Sequence, residues 1–260
     1  MLAQQRYNTI LELLEANGIV HTADLVNKMK VSSETIRKDL DFLEQEKRLA
    51  RVHGGAISLK NEKTLDYASE YISLQTRNTQ HMEQKAAITN YAASLVKEHQ
   101  VVALDYGSTS QMMAIALKKN FRSLTVITNS VQNAMILAEC PDFTIILTGG
   151  ILNKDEFTLG NDFTPMLDFL HIDILFMTVT GIDPAIGCTD QCLREAKIQN
   201  QMRQTASQTI ILADSSKFGK GSLVKVCALR DVNTIITDRD LSASMEQDIK
   251  NAGATLIIVP

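Results

Sequence analysis

The sequence contains few cysteines and no long apolar run. Its four cysteines, Cys140, Cys188, Cys192 and Cys227, are too sparse for a disulfide scaffold. Cys188 and Cys192 form a Cys-x-x-x-Cys pair without a neighbouring histidine, so we expect reduced thiols, no bound metal and no cofactor. No segment reaches the roughly 18 consecutive apolar residues that a membrane helix needs. Met1 begins a polar, amphipathic stretch rather than a signal peptide, so we expect a soluble, cytoplasmic protein.

Internal repeats and low-complexity tracts are also absent from the sequence. Of its 260 residues 45% are apolar and 22% are charged, which excludes a disordered or collagen-like chain. The length suits one large domain, or a small domain joined to one of about 180–200 residues. The net charge of −4 excludes a chain that is basic throughout, but basic residues still concentrate locally. A short stretch contains Arg37, Lys38, Lys47, Arg48, Arg51 and His53.

The first 57 residues predict three helices followed by a β-hairpin. Residues 3–16 have apolar side chains at helical spacing. Thr22 and Ser32 are expected to cap a second and a third helix. Two short apolar stretches around Gly54-Gly55 predict the hairpin. Three helices and a hairpin together make a winged helix-turn-helix.

The remainder of the chain alternates short apolar runs with helical segments. The runs are Val101–Leu104, Leu124–Ile127, Phe143–Leu147, Ile174–Val179, Thr209–Leu212, Asn233–Ile236 and Leu256–Val259. Helices are predicted around 110–118, 130–139, 162–170, 193–207 and 241–251, and over Met82–Lys97. This rhythm predicts an α/β domain with a parallel sheet that is covered on both faces. We expect domains at 1–57 and 81–260, joined by a polar connector at 58–80.

The third predicted helix has a polar and basic face opposite its apolar residues Ile36, Leu40 and Leu43. Short polar and cationic side chains near the N-terminus of a recognition helix contact base edges and phosphates. An ordinary solvated helix face has a similar composition, but the three-helix spacing and the double-glycine hairpin favour DNA recognition. The candidate DNA-binding residues are Ser33, Thr35, Arg37 and Lys38 on the helix and Arg51 and His53 on the hairpin.

Small or polar residues follow every predicted strand of the second domain. In an open α/β sheet, ligands bind at the carboxyl ends of the strands, where these residues lie. The turn Gly107-Ser108-Thr109-Ser110 offers hydroxyls and backbone N–H groups to a phosphate at the start of a helix. Asp105 and Asp183 could accept hydrogen bonds from sugar hydroxyls, or Asp105 could fix its own loop. Lys85 and Lys217 offer positive charge to a phosphate.

Nucleotide-binding motifs are missing from these turns. The sequence contains no Gly-x-Gly-x-x-Gly, and Gly219-Lys220-Gly221 lacks the spacing of a Walker motif. The converging polar loops therefore predict a crevice for a polyol or a phosphate rather than for a dinucleotide.

Three motifs in the first domain resemble the DeoR family of bacterial transcriptional regulators. They are Arg6-x3-Ile10-Leu11, Val31-Ser32-x-x-Thr35-Ile36-Arg37-Lys38-Asp39-Leu40 and Arg51-x-His53-Gly54-Gly55-Ala56. Lys38 replaces the second arginine of the family motif, which keeps the charge but loses a bidentate fork. We expect Asp39 to face the protein, because a carboxylate beside DNA phosphates is unfavourable.

The resemblance continues through the second domain. The matching motifs are Asp105-x-Gly107-Ser108-Thr109, Thr128-Asn129, Gly149-Gly150, Gly181-Ile182-Asp183 and Ser216-Lys217. It implies a sensor domain similar in fold to ribose-5-phosphate isomerase that binds a phosphorylated sugar. The implied effector residues are Lys85, Asp105, Gly107, Ser108, Thr109, Thr128, Asn129, Asp183 and Lys217.

These patterns together predict a transcriptional repressor of a carbohydrate-metabolism operon. A phosphorylated sugar would change its affinity for double-stranded operator DNA, and two DNA-binding heads in a homo-oligomer, a dimer or a tetramer, would read two half-sites. The alternative is a sugar-phosphate isomerase with an accessory DNA-binding module, in which Asp183, Glu195 and Lys197 transfer a proton. We expect instead that Glu195 is a surface acid beside a solvated Lys197, and that the protein is not an enzyme. A phosphate-binding module without DNA activity would leave the first 57 residues without a role.

Overall fold

The computed structural model describes residues 3–17, 19–46, 48–52, 55–57, 72–160 and 165–260. The chain divides into two compact units, Met1–Tyr71 and Ile72–Pro260. The part of the predicted connector between residues 58 and 71 lies outside the described residues, and residues 72–80 belong to the second unit. Within the described ranges, no helix is long and apolar enough to cross a membrane.

The first unit packs three helices against a small antiparallel sheet. Its elements are α1 (Ala3–Asn17), β1 (Ile19–His21), α2 (Thr22–Met29), α3 (Ser33–Gln45), β2 (Ala50–Val52) and β3 (Gly55–Ile57). The strands lie in the order β1-β3-β2, so that Ala56 of β3 is opposite both Val20 and Arg51. The predicted winged helix-turn-helix is confirmed. The sequence did not predict β1, because three residues are too few to show the alternation of a strand.

A single apolar core joins these elements. Ile36, Leu40 and Leu43 of α3 are almost fully buried, as the helical spacing predicts, and they pack with residues from α1 and α2. Complete burial of a leucine or isoleucine side chain stabilises a fold by about 1.5–3 kcal/mol. The opposite side of α3 is therefore the side that remains exposed.

The second unit begins with helices and continues as an α/β domain. Its first half contains α4 (Leu74–Arg77), α5 (Met82–Ala93), β4 (Val101–Leu104), α6 (Ser108–Asn120), β5 (Thr125–Thr128), α7 (Val131–Leu137), β6 (Thr144–Leu147), β7 (Ile151–Asn153) and β8 (Thr158–Gly160). Its second half contains β9 (Ile172–Met177), β10 (Gly181–Asp183), β11 (Gly187–Asp190), α8 (Leu193–Thr205), β12 (Ala206–Leu212), β13 (Val224–Cys227), β14 (Thr234–Asp238), α9 (Ala243–Asn251) and β15 (Thr255–Val259). Short 3-10 helices cover Pro165–Phe169, Ser215–Lys217 and Leu229–Asp231.

Seven parallel strands form the central sheet, in the order β15-β14-β12-β9-β4-β5-β6. Each of the seven predicted apolar runs supplies one of them. Successive side chains point to opposite faces, so Ala103 joins one core cluster while Val102 and Leu104 join the other. Because both faces are covered, these strands are continuously apolar rather than alternating. The predicted α/β class is confirmed.

Two smaller antiparallel sheets were not apparent from the sequence. Strands β10, β11 and β13 form one, and β7 and β8 form a hairpin. The hairpin crosses the segment that follows β5, where the Leu159 amide donates to the Asn129 carbonyl at 2.7 Å and Thr158 bridges Ser130. The hairpin therefore lies over the carboxyl end of β5.

Two predicted helices are shorter than expected. Within the predicted segment 162–170, the described residues Pro165–Phe169 form a 3-10 helix, and residues 161–164 lie outside the described part of the chain. The helix predicted to reach Lys97 ends at Ala93, where the Ser94 hydroxyl donates to the Tyr91 carbonyl at 2.6 Å.

Candidate functional site

The N-terminus of α3 is capped by Ser32, as the sequence predicts. The Ser32 hydroxyl accepts a hydrogen bond from the Thr35 amide at 3.1 Å and lies 2.8 Å from the Thr35 hydroxyl. Thr35 therefore takes part in the cap, while Ser33 is exposed at the first turn. A capped helix start holds the candidate DNA-binding residues in a fixed orientation.

The two basic candidates on α3 are both exposed. Lys38 pairs with Glu34 at 2.9 Å, and both side chains are about three-quarters exposed (75% and 76%). Such exposed pairs contribute only about 0.3–0.5 kcal/mol, so a phosphate can replace Glu34 at little cost. The Arg37 side chain has no hydrogen-bond or ion-pair partner among the described residues. Both side chains are available to an anionic partner.

Arg51 holds the predicted wing against α3. Its guanidinium contacts the carboxylate of Asp41, and its amide donates to the Glu44 carboxylate at 2.8 Å. The charge of Arg51 is therefore partly neutralised within the protein, which limits what it can offer to DNA. The other predicted wing residue, His53, lies outside the described residues.

Asp105 lies at the centre of the predicted crevice but is fully buried. Its carboxylate accepts from the Thr178 amide at 2.7 Å, from the Thr178 hydroxyl at 3.1 Å and from Gln199 Nε2 at 3.0 Å. Burial raises the pKa of Asp105 well above its ordinary value, against the opposing effect of these hydrogen bonds. All three donors contact Oδ2, and the Thr178 hydroxyl is also 3.2 Å from Oδ1, so these contacts favour the loop-fixing role expected for Asp105.

The turn after β4 has the form of an anion site. Gly107 adopts φ +107°, which favours glycine, and precedes the first residue of α6, Ser108. No side chain caps this helix, and the buried hydroxyls of Ser108 and Thr109 have no hydrogen-bond partner among the described residues. Free N–H groups and the helix dipole favour a negative charge at this position.

Thr128 and Asn129 follow the neighbouring strand, β5, and differ in their contacts. The Thr128 hydroxyl donates to the Asp105 carbonyl at 3.3 Å and accepts from the Ser130 amide, so Thr128 stabilises the loops. Asn129 is 0% exposed, and neither its amide nitrogen nor its amide oxygen has a partner in the described part of the chain. A buried amide without partners is unfavourable, which makes Asn129 a candidate ligand contact.

Cationic side chains gather near this turn. Lys85 is buried, and its Nζ donates to the carbonyls of Arg77 and Gln80 at 2.5 and 2.6 Å. Burial lowers the pKa of Lys85 to about 8, and the positive charges of Lys217 and Arg77 act in the same direction. Burial also lowers the pKa of Lys217, while the carboxylate of Asp214 opposes that shift.

Arg77 and Glu156 belong to this region, although sequence reasoning did not select either residue. The guanidinium of Arg77 contacts both carboxylate oxygens of Glu156, which is 79 residues away in the chain. A Cβ built on Gly107 would lie 3.5 Å from Nη1 of Arg77, so this guanidinium is beside the start of α6. No local pattern identifies such a pair, because its members come from a four-residue helix and a distant turn.

Asp183 and Glu195, two members of the acid/base set in the isomerase alternative, both accept hydrogen bonds from the protein. Asp183 accepts from the amides of Ala185 and Ile186 at 2.8 and 2.9 Å, so it closes the turn between β10 and β11. The prediction that Glu195 is a surface acid is wrong. Glu195 is 1% exposed and accepts from Asn153 and Thr158 of the β7–β8 hairpin, each at 2.8 Å. Lys197 is exposed.

A second buried carboxylate, Asp190, completes the network under the crevice. It accepts from the Tyr106 hydroxyl at 2.9 Å, and Gln199 Nε2 lies 3.3 Å from it. Gln199 thus joins Asp190 to Asp105. Burial raises the pKa of Asp190 to about 6, against the lowering effect of the Tyr106 hydrogen bond.

Known protein families match the sequence of each of the two units. A DeoR-like helix-turn-helix domain matches residues 6–62, and a DeoR C terminal sensor domain matches residues 80–239. The chain is 32% identical over 254 residues to the HTH-type transcriptional regulator GolR of Listeria innocua serovar 6a, covering 97% of each chain. It is 28% identical over 248 residues to the glycerol-3-phosphate regulon repressor of Escherichia coli strain K12, covering 95% of each.

Among solved structures, ribose 5 phosphate isomerase A from Neisseria gonorrhoeae matches 56% of this chain and 55% of that chain, with 14% identity and a TM-score of 0.41. The assignment of a family depends instead on the two domain matches and the full-length relatives. They show that the chain belongs to the DeoR family of transcriptional regulators.

Proposed function

We propose that this protein represses a carbohydrate-metabolism operon and that a phosphorylated sugar, bound in the second unit, controls its affinity for operator DNA. Membership of the DeoR family supports the regulatory part of the proposal. One relative is itself named a glycerol-3-phosphate regulon repressor. With double-stranded DNA as the partner, the proposed location is the cytoplasm.

The observation that carries the effector proposal is the chemistry around the uncapped start of α6. Backbone N–H groups and the hydroxyls of Ser108 and Thr109 suit a phosphate, with Lys217 supplying positive charge nearby. Asn129 supplies a buried amide whose donor and acceptor are both without partners in the described residues, which suits a sugar hydroxyl. Asp105 and Thr128 hold these loops in place, and Lys85 fixes the backbone of Arg77.

On the first unit, we propose different roles for the two exposed cations of α3. Arg37 can form a bidentate contact with guanine, whereas Lys38 acts as a point charge on a phosphate. Ser33 and Thr35 would contact the DNA backbone or a base edge at the start of the helix. Arg51, with His53, would support the wing rather than supply most of the binding energy, because Asp41 already partly neutralises its guanidinium.

The effector can act only if it binds one conformation of the sensor better than the other. The connector after the first unit is the proposed route by which that preference reaches the DNA-binding heads. A homo-oligomer, a dimer or a tetramer, would place two heads on two half-sites of the operator.

A catalytic role is not part of this proposal. The carboxylates of Asp105, Asp183 and Glu195 already accept hydrogen bonds from protein donors that fix loops and the hairpin. Because Oε2 of Glu195 has no partner in the described part of the chain, family membership and the full-length relatives, rather than these contacts, weigh against an isomerase. The alternative of a sugar-phosphate isomerase is therefore not favoured.

The proposal can be tested by measuring DNA affinity in the presence of matched ligand pairs. Binding to the DNA upstream of the protein's own operon would be followed by fluorescence anisotropy at fixed salt, with each sugar phosphate compared with its unphosphorylated sugar. An effector is expected to change the DNA affinity by about 5–150-fold, and the sugar alone to have no effect. An equal response to sugars with and without phosphate would contradict the phosphate site. Absence of sequence-specific DNA binding would contradict the regulator.

A further inference from the structure

The ion pair between Arg77 and Glu156 links two segments that are distant in the chain. Arg77 ends the short helix α4, and Glu156 lies on the turn between β7 and β8. Nη2 of Arg77 is 2.5 Å from Oε1 of Glu156, and the two side chains are only 22% and 9% exposed. This sheltered pair is stronger than a surface ion pair, because solvent screens it less.

The same guanidinium lies beside the proposed phosphate site. Its other terminal nitrogen, Nη1, is 3.5 Å from the position of a Cβ built on Gly107, the residue that precedes α6. Lys85 holds the backbone carbonyl of Arg77 at 2.5 Å, so α4 cannot easily carry the guanidinium away. Glu156 thus places a carboxylate next to a cation that a phosphate at the start of α6 would also attract.

We propose that Glu156 is a tethered competitor of the effector phosphate. Its carboxylate occupies Nη2 of Arg77, whereas Nη1 faces Gly107 at the start of α6, so a phosphate that takes both nitrogens in a bidentate contact must displace Glu156 from Nη2. Binding of the effector then requires that Arg77 release Glu156, which frees one attachment of the β7–β8 hairpin. This inference rests on the proposed effector site and adds the device by which the hairpin senses its occupancy.

The hairpin is well suited to respond to such an exchange. Its side chains Ile151, Leu152 and Phe157 are 62%, 43% and 43% exposed, so apolar packing holds it only weakly. Polar contacts that Asn153 and Thr158 donate to Glu195 hold the pair of residues that closes the turn. The loss of the contact between Arg77 and Glu156 therefore removes a restraint from the turn at 154–157, while the two residues that flank it stay attached to Glu195.

The exchange also reaches the part of the predicted connector, residues 72–80, that belongs to the second unit. Nε of Arg77 donates to the carbonyl of Ile72, the first residue of the second unit, at 2.9 Å. When the guanidinium turns from the Glu156 carboxylate to a phosphate, the geometry of this hydrogen bond to Ile72 must change. Arg77 is thus a point at which effector binding can alter the start of the second unit.

The test uses the full-length chain, inorganic phosphate as the probe, and the variants Glu156→Gln and Asp155→Asn. Glu156→Gln keeps the size of the side chain and removes the competing charge, while Asp155→Asn removes a charge from the same turn. If the pair between Glu156 and Arg77 is formed in about nine-tenths of the molecules without ligand, Glu156→Gln should bind phosphate about tenfold more tightly than the parent. Asp155→Asn should stay within about twofold of the parent. Phosphate affinities would be measured by calorimetry or by phosphorus NMR.

Hydrogen exchange of the hairpin gives a second measurement on the parent chain. Saturating phosphate should speed amide exchange in residues 151–160 of the parent, to the level that Glu156→Gln shows without phosphate. The proposal that Glu156 competes with phosphate is refuted if Glu156→Gln and the parent bind phosphate equally, or if hairpin amides of the parent exchange at the same rate with and without phosphate. In either case the proposed effector site is not contradicted. If none of the three proteins binds phosphate, the proposed effector site is overturned together with this inference.

Discussion

The guanidinium of Arg6 on α1 holds both carboxylate oxygens of Asp39 on α3, with Nε–Oδ2 and Nη2–Oδ1 distances of 2.5 and 2.9 Å. Asp39 is 3% exposed, and the hydrogen bond raises the pKa of Arg6 above its ordinary value. The expectation that this acid faces the protein is confirmed. The pair fixes the angle between α1 and α3, the helix that carries the proposed DNA-binding side chains. This contact explains why an acid stands within a basic motif.

Asp39→Asn should destabilise the first unit by about 3 kcal/mol, because it removes one charge of a sheltered ion pair. Hydrogen exchange of α3 amides would measure this local free energy without the assumption that both units unfold together. Asp41→Asn is the matched control on the exposed side of the same helix, and it should cost less than about 1 kcal/mol. Equal losses for the two variants would contradict a structural role of the Arg6 pair.

Arg37→Ala and Lys38→Ala should weaken operator binding in different ways. Lys38→Ala should weaken all DNA sequences equally and lower the salt slope by about 1, as expected for a phosphate contact. Arg37→Ala should cost about 1–3 kcal/mol on the operator and reduce discrimination. Lys250→Ala is the control, since Lys250 forms an i,i+4 pair with Glu246 in the second unit that resembles the Lys38 pair. If both α3 variants bind DNA with the same affinity and salt dependence as the parent, the proposed DNA-binding face is contradicted.

Asn129→Ala should separate ligand binding from stability. Its amide has no partner to lose among the described residues, so the free energy of unfolding should change by less than about 1 kcal/mol, while effector affinity falls roughly tenfold. The comparison is Asn133→Ala, which removes two hydrogen bonds, to the Asp105 carbonyl and the Ser110 hydroxyl, each at 2.9 Å. That variant should lose about 2 kcal/mol of stability. Normal effector affinity in Asn129→Ala would exclude Asn129 from the site.

The raised pKa of Asp190 predicts that the free energy of unfolding declines as the pH rises. Burial raises its pKa from 3.8 to about 6, so the folded chain binds the proton more tightly than the unfolded chain. The associated stability is complete below pH about 4 and is lost as the pH rises through 6, for a total of about 3 kcal/mol. The stability of the parent relative to Asp190→Asn should therefore fall over this range. Asp142 is an exposed acid, so Asp142→Asn should leave the dependence of stability on pH unchanged. Parallel stability profiles for the parent and Asp190→Asn would contradict the raised pKa of Asp190.

No sugar-phosphate isomerase activity is expected. Exchange of the carbon-bound protons of pentose and hexose phosphates with solvent, followed by NMR, should proceed at the rate without protein. Glu195→Gln is the informative variant, because its amide oxygen can still accept from Asn153 and Thr158 while the basic carboxylate is lost. Protein-dependent exchange that Glu195→Gln abolishes would favour the enzyme alternative.

The sequence predicted the central sheet well because its strands are buried on both faces. A run such as Ile174–Val179 has few other stable arrangements once helices flank it on each side. The β7–β8 hairpin escaped prediction, since its strands have three residues each and its apolar side chains are exposed. In such a hairpin, contacts with distant segments rather than local periodicity decide the structure.

The candidate site was predicted in its chemistry but less well in its contacts. Local motifs identified Gly107 and Ser108, whose role depends on one turn and one helix start. They could not show that Thr178 and Gln199 would surround Asp105, because those residues come from different elements. The spacing also placed Glu195 at the surface, although the hairpin that buries it is formed about 35–45 residues earlier in the chain.

The position of β3 at the centre of the first sheet determines how short a DNA-binding fragment can be. Ala56 pairs with β1 on one side and with β2 on the other, so a chain cut after Val52 would leave both outer strands without their only described partner. A fragment that ends after the recognition helix would therefore lose the wing and also expose the strand that joins α1 to α2. Any excised head for crystallisation with DNA must extend through Ile57.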